Sequence, residues 1–150
     1  PSVSFSLDAA SETVSFLEAS FEEDSLSETT SSACCDPKWT TEALGNLVDN
    51  AIKYTPSGSV TISAAEYELF TRIDVTDTGI GIEESEQPKI FSRFYRSEAV
   101  RKNEGVGIGL YLAREIISGE GGYIKLTSEP GKGSTFSVFL PRQAEILQNC

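Results

Sequence analysis

Two asparagines and a lysine are spaced one helical turn apart in the stretch NLVDNAIKYT. Asn50 follows Asn46 by four residues, and Lys53 follows Asn50 by three. At about 100° per residue these side chains share one face of a helix, opposite an apolar stripe. Asparagine is a poor helix former, but its amide oxygen suits Mg²⁺ and a lysine ammonium suits phosphate. The pattern predicts either a site for a metal-bound polyphosphate or an amphipathic helix with a solvated polar face.

A second pattern, DTGIGI, begins with Asp77 at the end of a predicted strand. From that position the carboxylate would point into a pocket and accept a hydrogen bond from an amino group on a flat ring. Gly79 and Gly81 would let the ring approach the backbone. The alternative is a strained turn with Asp77 as a local cap, and this stretch alone leaves both open.

A third pattern, GVGIGL, places Gly105, Gly107 and Gly109 at the start of a predicted helix. The first turn of a helix presents free N–H groups and a partial positive charge, which together bind anions such as phosphate. Arg101 and Lys102 precede the glycines and would close over the anion as a lid. The similar GKGST lacks a P-loop pattern, because Gly133 follows Lys132 where Ser or Thr is required.

The composition excludes several kinds of chemistry and partner. The 150 residues suit one domain, and a net charge of −11 argues against nucleic acid and anionic membranes as partners. No histidine is present, so a Ser-His-Asp or Cys-His catalytic unit is absent from this chain. Three cysteines, two of them adjacent, fit reduced thiols in a cytosolic domain. Because the sequence starts with Pro and lacks Met, we expect a piece of a longer chain.

The elements that would position these residues alternate between helices and hairpin-connected strands. Helices are predicted over PKWTTEALGNLVDNAIKYT (with Asp36 as N-cap and Pro37 in the first turn), around Lys89 to Arg96, and over GIGLYLAREIISG. Strands are predicted over SVSFSL, SACCD, SVTISAAEYE, LFTRIDVTD, GYIKLTSE and GSTFSVFLP. TVSFLEASF fits helix or strand, EEDSLSETTSS fits a loop, and the tail RQAEILQNC fits a short helix or a frayed end.

This order predicts an α+β fold rather than a doubly wound one, because βαβ repetition is missing. We expect a two-layer α/β sandwich in which helices cover one face of a mixed or antiparallel sheet. The predicted domain spans residues 36–141. Residues 1–35 form a poorly readable segment of the same domain or a linker, and 142–150 form a tail.

The patterns occur in an order that closely resembles the ATP-binding catalytic domain of bacterial sensor histidine kinases, within the Bergerat-fold superfamily of gyrase B, Hsp90 and MutL. The resemblance covers roughly residues 36–141 and rests on NLVDNAIKYT, DTGIGI, IFSRFYR, GVGIGL and GKGSTF. It implies ATP and Mg²⁺ as ligands. It also implies a helix layer on a mixed sheet, in agreement with the fold predicted from the elements.

The resemblance implies a role for each matching residue. In the N box, Asn50 is the Mg²⁺ ligand, Asn46 and Lys53 face the phosphates as catalytic groups, and Tyr54 lies near the ribose or base. In the first glycine box, Asp77 bonds the adenine amine. Further nucleotide contacts are Gly79, Gly81, Ile82, Arg101, Gly105, Gly107, Gly109, Leu110 and Thr135, with Thr135 on the adenine side. Phe91 and Phe94 would anchor the base of the lid, or simply pack in the core.

The same resemblance implies a protein-histidine kinase that gives the γ-phosphate of ATP to a His on a separate dimerisation domain. A response regulator would receive the phosphoryl group next, and the chain itself would be monomeric. It would be cytoplasmic, as part of a membrane-anchored sensor. Alternatives are a serine or threonine kinase of the superfamily, a degenerate nucleotide-binding scaffold, or an ATPase. The ATPases carry a catalytic Glu four residues before the metal-binding Asn, where this chain has Asn46.

Overall fold

A computed structural model of the protein describes residues 2–7, 35–96 and 107–142. Its elements are, in chain order, β1 (Ser2–Leu7), α1 (Pro37–Lys53), β2 (Gly58–Glu66), β3 (Phe70–Asp77), α2 (Gly109–Gly119), β4 (Tyr123–Glu129) and β5 (Gly133–Pro141). The strands form one sheet in the order β1-β2-β3-β5-β4. Every pair of neighbouring strands among these described residues is antiparallel, so the antiparallel alternative is the one observed.

The strand registers place the apolar residues of β2, β3, β5 and β4 on the same face of the sheet. Val75 pairs with Phe136 and Ile73 with Val138, and each pair lies beside matching residues on the neighbouring strands. Both helices cover this face. The buried core joins the sheet to the helices through Val60, Val75, Phe136, Val138 and Leu140 below and Ala43, Leu47, Ala51, Ala113 and Ile117 above. The predicted two-layer α+β architecture is therefore confirmed.

Helix α1 begins as the sequence predicts. Asp36 has an extended backbone, and its side chain accepts a hydrogen bond of 3.0 Å from the N–H of Lys38, while Pro37 occupies the first turn. The Glu120 carboxylate, just after α2, accepts bonds from the Asp36 N–H (3.1 Å) and from the Thr40 hydroxyl (2.7 Å). These contacts tie the start of α1 to the end of α2.

The helix predicted around Lys89 to Arg96 is wrong, because this segment consists of turns. Its backbone bonds join residues three apart, such as Lys89 to Glu86 and Ser92 to Lys89. Phe94 then adopts a left-handed conformation (φ 63°) and donates its N–H to Gly107 O at 2.9 Å, which prevents helical continuation. Phe94 is exposed, whereas Phe91 packs edge-on against core Phe136, so only one of these aromatics joins the core.

The remaining predictions of local structure meet different outcomes. The described part of the strand predicted at SACCD, Cys35 and Asp36, is not in a strand, because Asp36 caps α1. The features predicted over TVSFLEASF, EEDSLSETTSS and the tail beyond Arg142 lie outside the described residues. Neither α1 nor α2, the helices among the described residues, is long and apolar enough to cross a lipid bilayer.

Candidate functional site

A cavity of about 480 Å³ opens between α1, the end of β3, the start of α2 and the β4–β5 turn. Its volume is within the range of small-molecule sites. It brings together most of the site residues predicted from sequence, namely Asn46, Asn50, Lys53, Tyr54, Asp77, Gly81, Ile82, Gly107, Gly109 and Leu110.

One wall of the cavity is the polar face of α1. Asn46, Asp49, Asn50 and Lys53 all line it, as their spacing of three and four residues requires. Within the described structure the Asn46 Nδ2 atom is buried and has no hydrogen-bond partner. A buried amide donor without a partner is costly, so Asn46 lowers the stability of the chain unless a ligand accepts from this nitrogen.

Asp77 forms the deep end of the cavity at the end of β3 and is only 5% exposed. Burial raises the pKa of its carboxyl above the ordinary value, because the charged form loses solvation. Hydrogen bonds to the carboxylate act in the opposite direction. They come from the N–H groups of Gly79 and Ser134, and the Gly79 bond to Oδ1 measures 2.9 Å. A carboxylate held in this way accepts hydrogen bonds from a ligand in a fixed direction.

Tyr54 and Arg96 both line the cavity. The pKa of the Tyr54 phenol is raised by burial, an effect that the Arg96 guanidinium partly offsets. The Lys53 ammonium lies 5.8 Å from the centre of the Tyr54 ring. Two cations and one aromatic face therefore border the space next to the Asn46–Asn50 wall.

The glycines of DTGIGI are required by the protein's own packing. A Cβ atom at Gly79 would collide with the carbonyl oxygen of Tyr54, and one at Gly81 would collide with the carbonyl oxygen of Glu129. Gly81 also has a positive φ of 69°. The sequence reasoning assigned these glycines to the approach of a ring, but the structure gives a sufficient reason without any ligand.

Gly107 and Gly109 differ in this respect. Gly107 has a φ of 73° and its Cβ would lie 2.8 Å from the Tyr95 carbonyl oxygen, so packing requires glycine there. At Gly109 the nearest atom to an added Cβ is Asn46 Oδ1 at 3.7 Å, an ordinary contact distance. Gly109 lines the cavity at the start of α2, and the preceding Ile108 provides no side-chain cap. The N–H groups of the first turn of α2 are thus left for another acceptor.

Some predicted residues lie elsewhere. Gly79 is behind the cavity wall and does not line it. Thr135 pairs with Thr76, to whose hydroxyl it is hydrogen-bonded at 3.1 Å, on the sheet face away from the helices. The cavity contains Ser134 instead, which pairs with Asp77. Arg101 and Gly105 lie outside the described residues.

Several lining residues were missed by the sequence reasoning. They are Ile80, Glu83, Glu86, Ile90, Tyr95, Ile108, Pro130 and Ser134. One of them carried a usable signal. Strict alternation back from core Phe136 along β5 would have selected Ser134 rather than Thr135.

A comparison with protein families decides what kind of domain holds this cavity. The family described as histidine kinase-, DNA gyrase B- and HSP90-like ATPases matches residues 35–144. This chain belongs to that family. The match covers α1, the cavity and every strand after β1.

Within the ATPase family, several proteins named as sensor or sensory kinases are similar to this chain. SenX3 of Mycobacterium tuberculosis is 42% identical over 106 residues, which cover 69% of this chain and 26% of the relative. WalK of Bacillus subtilis is 39% identical over 110 residues, covering 70% of this chain and 18% of WalK. SasA of Thermosynechococcus vestitus is 45% identical over 102 residues, covering 67% and 27%. The chain thus spans about a quarter or less of the length of these relatives.

Solved structures of this ATPase family have the same fold. The mycobacterial sensor histidine kinase MprB superposes with a TM-score of 0.64 at 26% identity, covering 72% of this chain and 73% of that one. Full-length ShkA in complex with AMPPNP gives 0.61 at 26% identity, covering 73% of this chain and 23% of that one. These findings confirm the resemblance to the ATP-binding domain of histidine kinases.

Proposed function

We propose that this chain is the catalytic domain of a two-component sensor histidine kinase. It binds ATP and gives the γ-phosphate to a histidine on a separate dimerisation domain. The observation that carries the proposal is the meeting of three groups in one cavity: the Asn46–Asn50 face, the buried Asp77 and the uncapped start of α2. The buried acceptor suits the base of a nucleotide, and the polar wall and the anion site suit its phosphates and their metal ion.

The base occupies the end of the cavity at Asp77. Its carboxylate, oriented by the Gly79 N–H at 2.9 Å, accepts a hydrogen bond from the adenine amine. Ile80, Ile82 and Ile90 provide apolar contact for the ring from the surrounding wall. Tyr54 borders the ribose or base side, in line with the family resemblance.

The phosphates occupy the end formed by α2. The first-turn N–H groups at Gly109 and Leu110 donate to phosphate oxygens, and the helix dipole favours negative charge there. Lys53 and Arg96 line the same cavity and offset charge, and the unpartnered Asn46 Nδ2 gains an acceptor. Catalysis by these groups is positioning and charge neutralisation rather than covalent chemistry.

Asn50 is the residue that would hold Mg²⁺. The described residues contain no cluster of three or more acidic, Cys or His side chains that could form a metal cage. Mg²⁺ fits a site whose protein ligand is Asn50, because it commonly takes one or two protein ligands and completes its shell with phosphate oxygens and water. When bound, the ion would neutralise charge on the transferring phosphoryl group.

The proposed partners follow from the absence of a histidine that could accept the phosphoryl group within this chain. Because the chain contains no histidine, the phosphorylated His and its general base belong to a separate dimerisation domain, and a response regulator aspartate receives the phosphoryl group next. We assign residues 36–141 to the kinase domain and 142–150 to a tail. This chain acts as a monomer on the cytoplasmic side of a membrane-anchored sensor.

Transfer of a labelled phosphate tests the proposal. The chain is incubated with γ-labelled ATP, Mg²⁺ and a separately supplied dimerisation domain of a sensor kinase relative. Label should appear on that domain in an acid-labile, alkali-stable form, as phosphohistidine does. Release of inorganic phosphate alone would indicate the ATPase alternative. Acid-stable label on a protein partner would indicate the serine or threonine kinase, and no consumption of ATP would indicate the degenerate scaffold.

A further inference from the structure

The wall that faces the base, Ile80–Ile82, is held in place from behind. Ile80 donates its N–H to Tyr54 O at 3.2 Å and accepts from the Gly131 N–H at 2.8 Å. Ile82 donates its N–H to Ser128 Oγ at 2.8 Å. The wall is therefore hydrogen-bonded to the end of α1 and to the β4–β5 hairpin. Ile82, at its C-terminal end, is not part of a strand, so no strand pairing fixes its backbone.

The side chain of Gln87 provides a further hydrogen-bonded link at Ile82. Its side-chain Nε2 donates to the carbonyl oxygens of Ile82 at 3.0 Å and Ser128 at 3.2 Å. Two carbonyl acceptors use both hydrogens of the carboxamide nitrogen, so its orientation is determined. The same amide thus joins the base wall to strand β4.

The position of Gln87 in the chain adds a second connection. It lies in the segment of turns between Glu83 and Phe94, which lacks a continuous hydrogen-bond ladder. This segment supplies Glu86 and Ile90 to the cavity and leads to Tyr95, whose hydroxyl donates to Glu86 Oε1 at 3.0 Å. Gln87 does not line the cavity, but it ties two cavity walls to each other.

We propose that Gln87 is a positioning residue that sets the affinity and selectivity for the nucleobase by holding Ile82 and the turn segment against β4. The inference rests on the proposed function, since it assumes that the cavity binds a nucleotide. Ser128 is its partner: Ser128 Oγ accepts from Ile82, and it is also within hydrogen-bond distance of Gly133 O (3.1 Å) and Ser134 Oγ (2.8 Å). The hydrogen bonds of this network lie at the base end of the cavity, at Ile82, Ser128, Gly133 and Ser134.

The test compares Gln87→Met, which keeps the length of the side chain but has no donor, with the unaltered chain. Dissociation constants are measured by calorimetry for ADP, GDP and inorganic triphosphate. We expect ADP to bind about tenfold more weakly and the preference for ADP over GDP to narrow. Triphosphate, which has no base, should bind as before. Lys89→Met is the matched control, because Lys89 is exposed in the same segment and does not line the cavity.

The outcomes separate this inference from the proposed function. If the unaltered chain binds no ADP, the proposed function fails and the inference falls with it. If it binds ADP and Gln87→Met leaves both the affinity and the ADP-to-GDP ratio unchanged, only the inference is overturned. An equal loss for ADP, GDP and triphosphate would also overturn it, as that result indicates general destabilisation. If Gln87→Met does not fold, Ser128→Ala is measured instead. It keeps the Gln87 bond to the Ser128 carbonyl but removes the hydroxyl that accepts from the Ile82 N–H, and an unchanged ADP-to-GDP ratio would then overturn the role given to the bonds that hold Ile82.

Discussion

Gly109 faces Asn46 where α2 starts beside α1, and an added Cβ would lie 3.7 Å from Asn46 Oδ1. Of the glycines in DTGIGI and GVGIGL that the structure describes, Gly109 alone leaves room for a side chain. At Gly79, Gly81 and Gly107 a side chain would collide with the backbone carbonyl oxygens of Tyr54, Glu129 and Tyr95, respectively. The space beside Gly109 is the space that the proposal gives to phosphate.

Gly109→Ala should therefore separate binding from folding. An alanine at the start of a helix costs less backbone entropy than glycine, so the melting temperature should be unchanged or raised. Its methyl group would occupy the phosphate space, and ATP should bind at least about tenfold more weakly. Gly81→Ala is the contrasting variant: its positive φ and the Glu129 carbonyl should make it unfold at a lower temperature. Undiminished ATP binding by folded Gly109→Ala would contradict the phosphate assignment.

Asp77→Asn should alter both the ligand affinity and the pH dependence of stability. The raised pKa of Asp77 means that the folded state holds its proton more tightly than the unfolded state. Stability contributed by this group is therefore complete below its unfolded pKa and is lost as pH rises through the folded pKa. The unfolding free energy of the unaltered chain minus that of Asp77→Asn should fall as pH rises from the acidic range, as measured by urea denaturation.

The opposite slope would mean that the hydrogen bonds from the Gly79 and Ser134 N–H groups outweigh burial. ATP affinity of Asp77→Asn is measured on the same samples near neutral pH. It should fall sharply, because the amide offers one acceptor oxygen and a repelling NH₂ group where the carboxylate offers two oxygens.

Asn46→Leu should weaken ATP binding without lowering the free energy of unfolding. The Asn46 Nδ2 is buried without a partner, so an apolar side chain of similar size should leave the free energy of unfolding unchanged or raise it by about 1 kcal/mol. ATP affinity should fall, because leucine lacks the amide N–H that the proposal assigns to a phosphate oxygen. Chemical denaturation and calorimetric titration check the two halves. A loss of several kcal/mol in stability would show that Asn46 is a structural residue instead.

Thr40→Val should loosen the tie between α1 and α2. Thr40 is buried, and its hydroxyl donates to the Glu120 carboxylate at 2.7 Å, a charge-assisted bond whose loss costs about 1.5–3 kcal/mol. Thermal unfolding should show the loss with ATP affinity little changed, since neither residue lines the cavity. Thr41→Val is the control, because Thr41 is exposed and its hydroxyl, among the described residues, bonds only Pro37 O of its own helix. Equal effects at the two threonines would refute the role given to Glu120.

The sequence predicts this fold well where local chemistry decides the structure. Asp36 and Pro37 specify the start of α1, and alternating residues specify β2 to β5, because capping and burial act over a few residues. It fails at Lys89 to Arg96, where the Phe94 N–H bonds to distant Gly107. A contact across a gap in sequence leaves no mark in the helical pattern of either segment.

The same contrast between local patterns and contacts from distant segments applies to the site. Helical spacing predicts that Asn46, Asn50 and Lys53 line one wall, and they do. Gly79 and Gly81 were assigned to a ligand, and the structure adds a packing reason that the sequence does not show, the approach of Tyr54 and Glu129 from other elements. Thr135 was placed by motif position, whereas the pairing of Ser134 with Asp77 puts the neighbouring residue in the cavity.

The most direct test of the central claim is a calorimetric titration of the chain with ATP, with and without Mg²⁺, repeated with Asn50→Ala. The account predicts binding of the unaltered chain that is tighter with Mg²⁺ than without it. In Asn50→Ala this Mg²⁺ advantage should disappear while the weaker metal-free binding persists. Absence of ATP binding by the folded, unaltered chain under both conditions would contradict the account, because the cavity between α1 and α2 would then not be a nucleotide site.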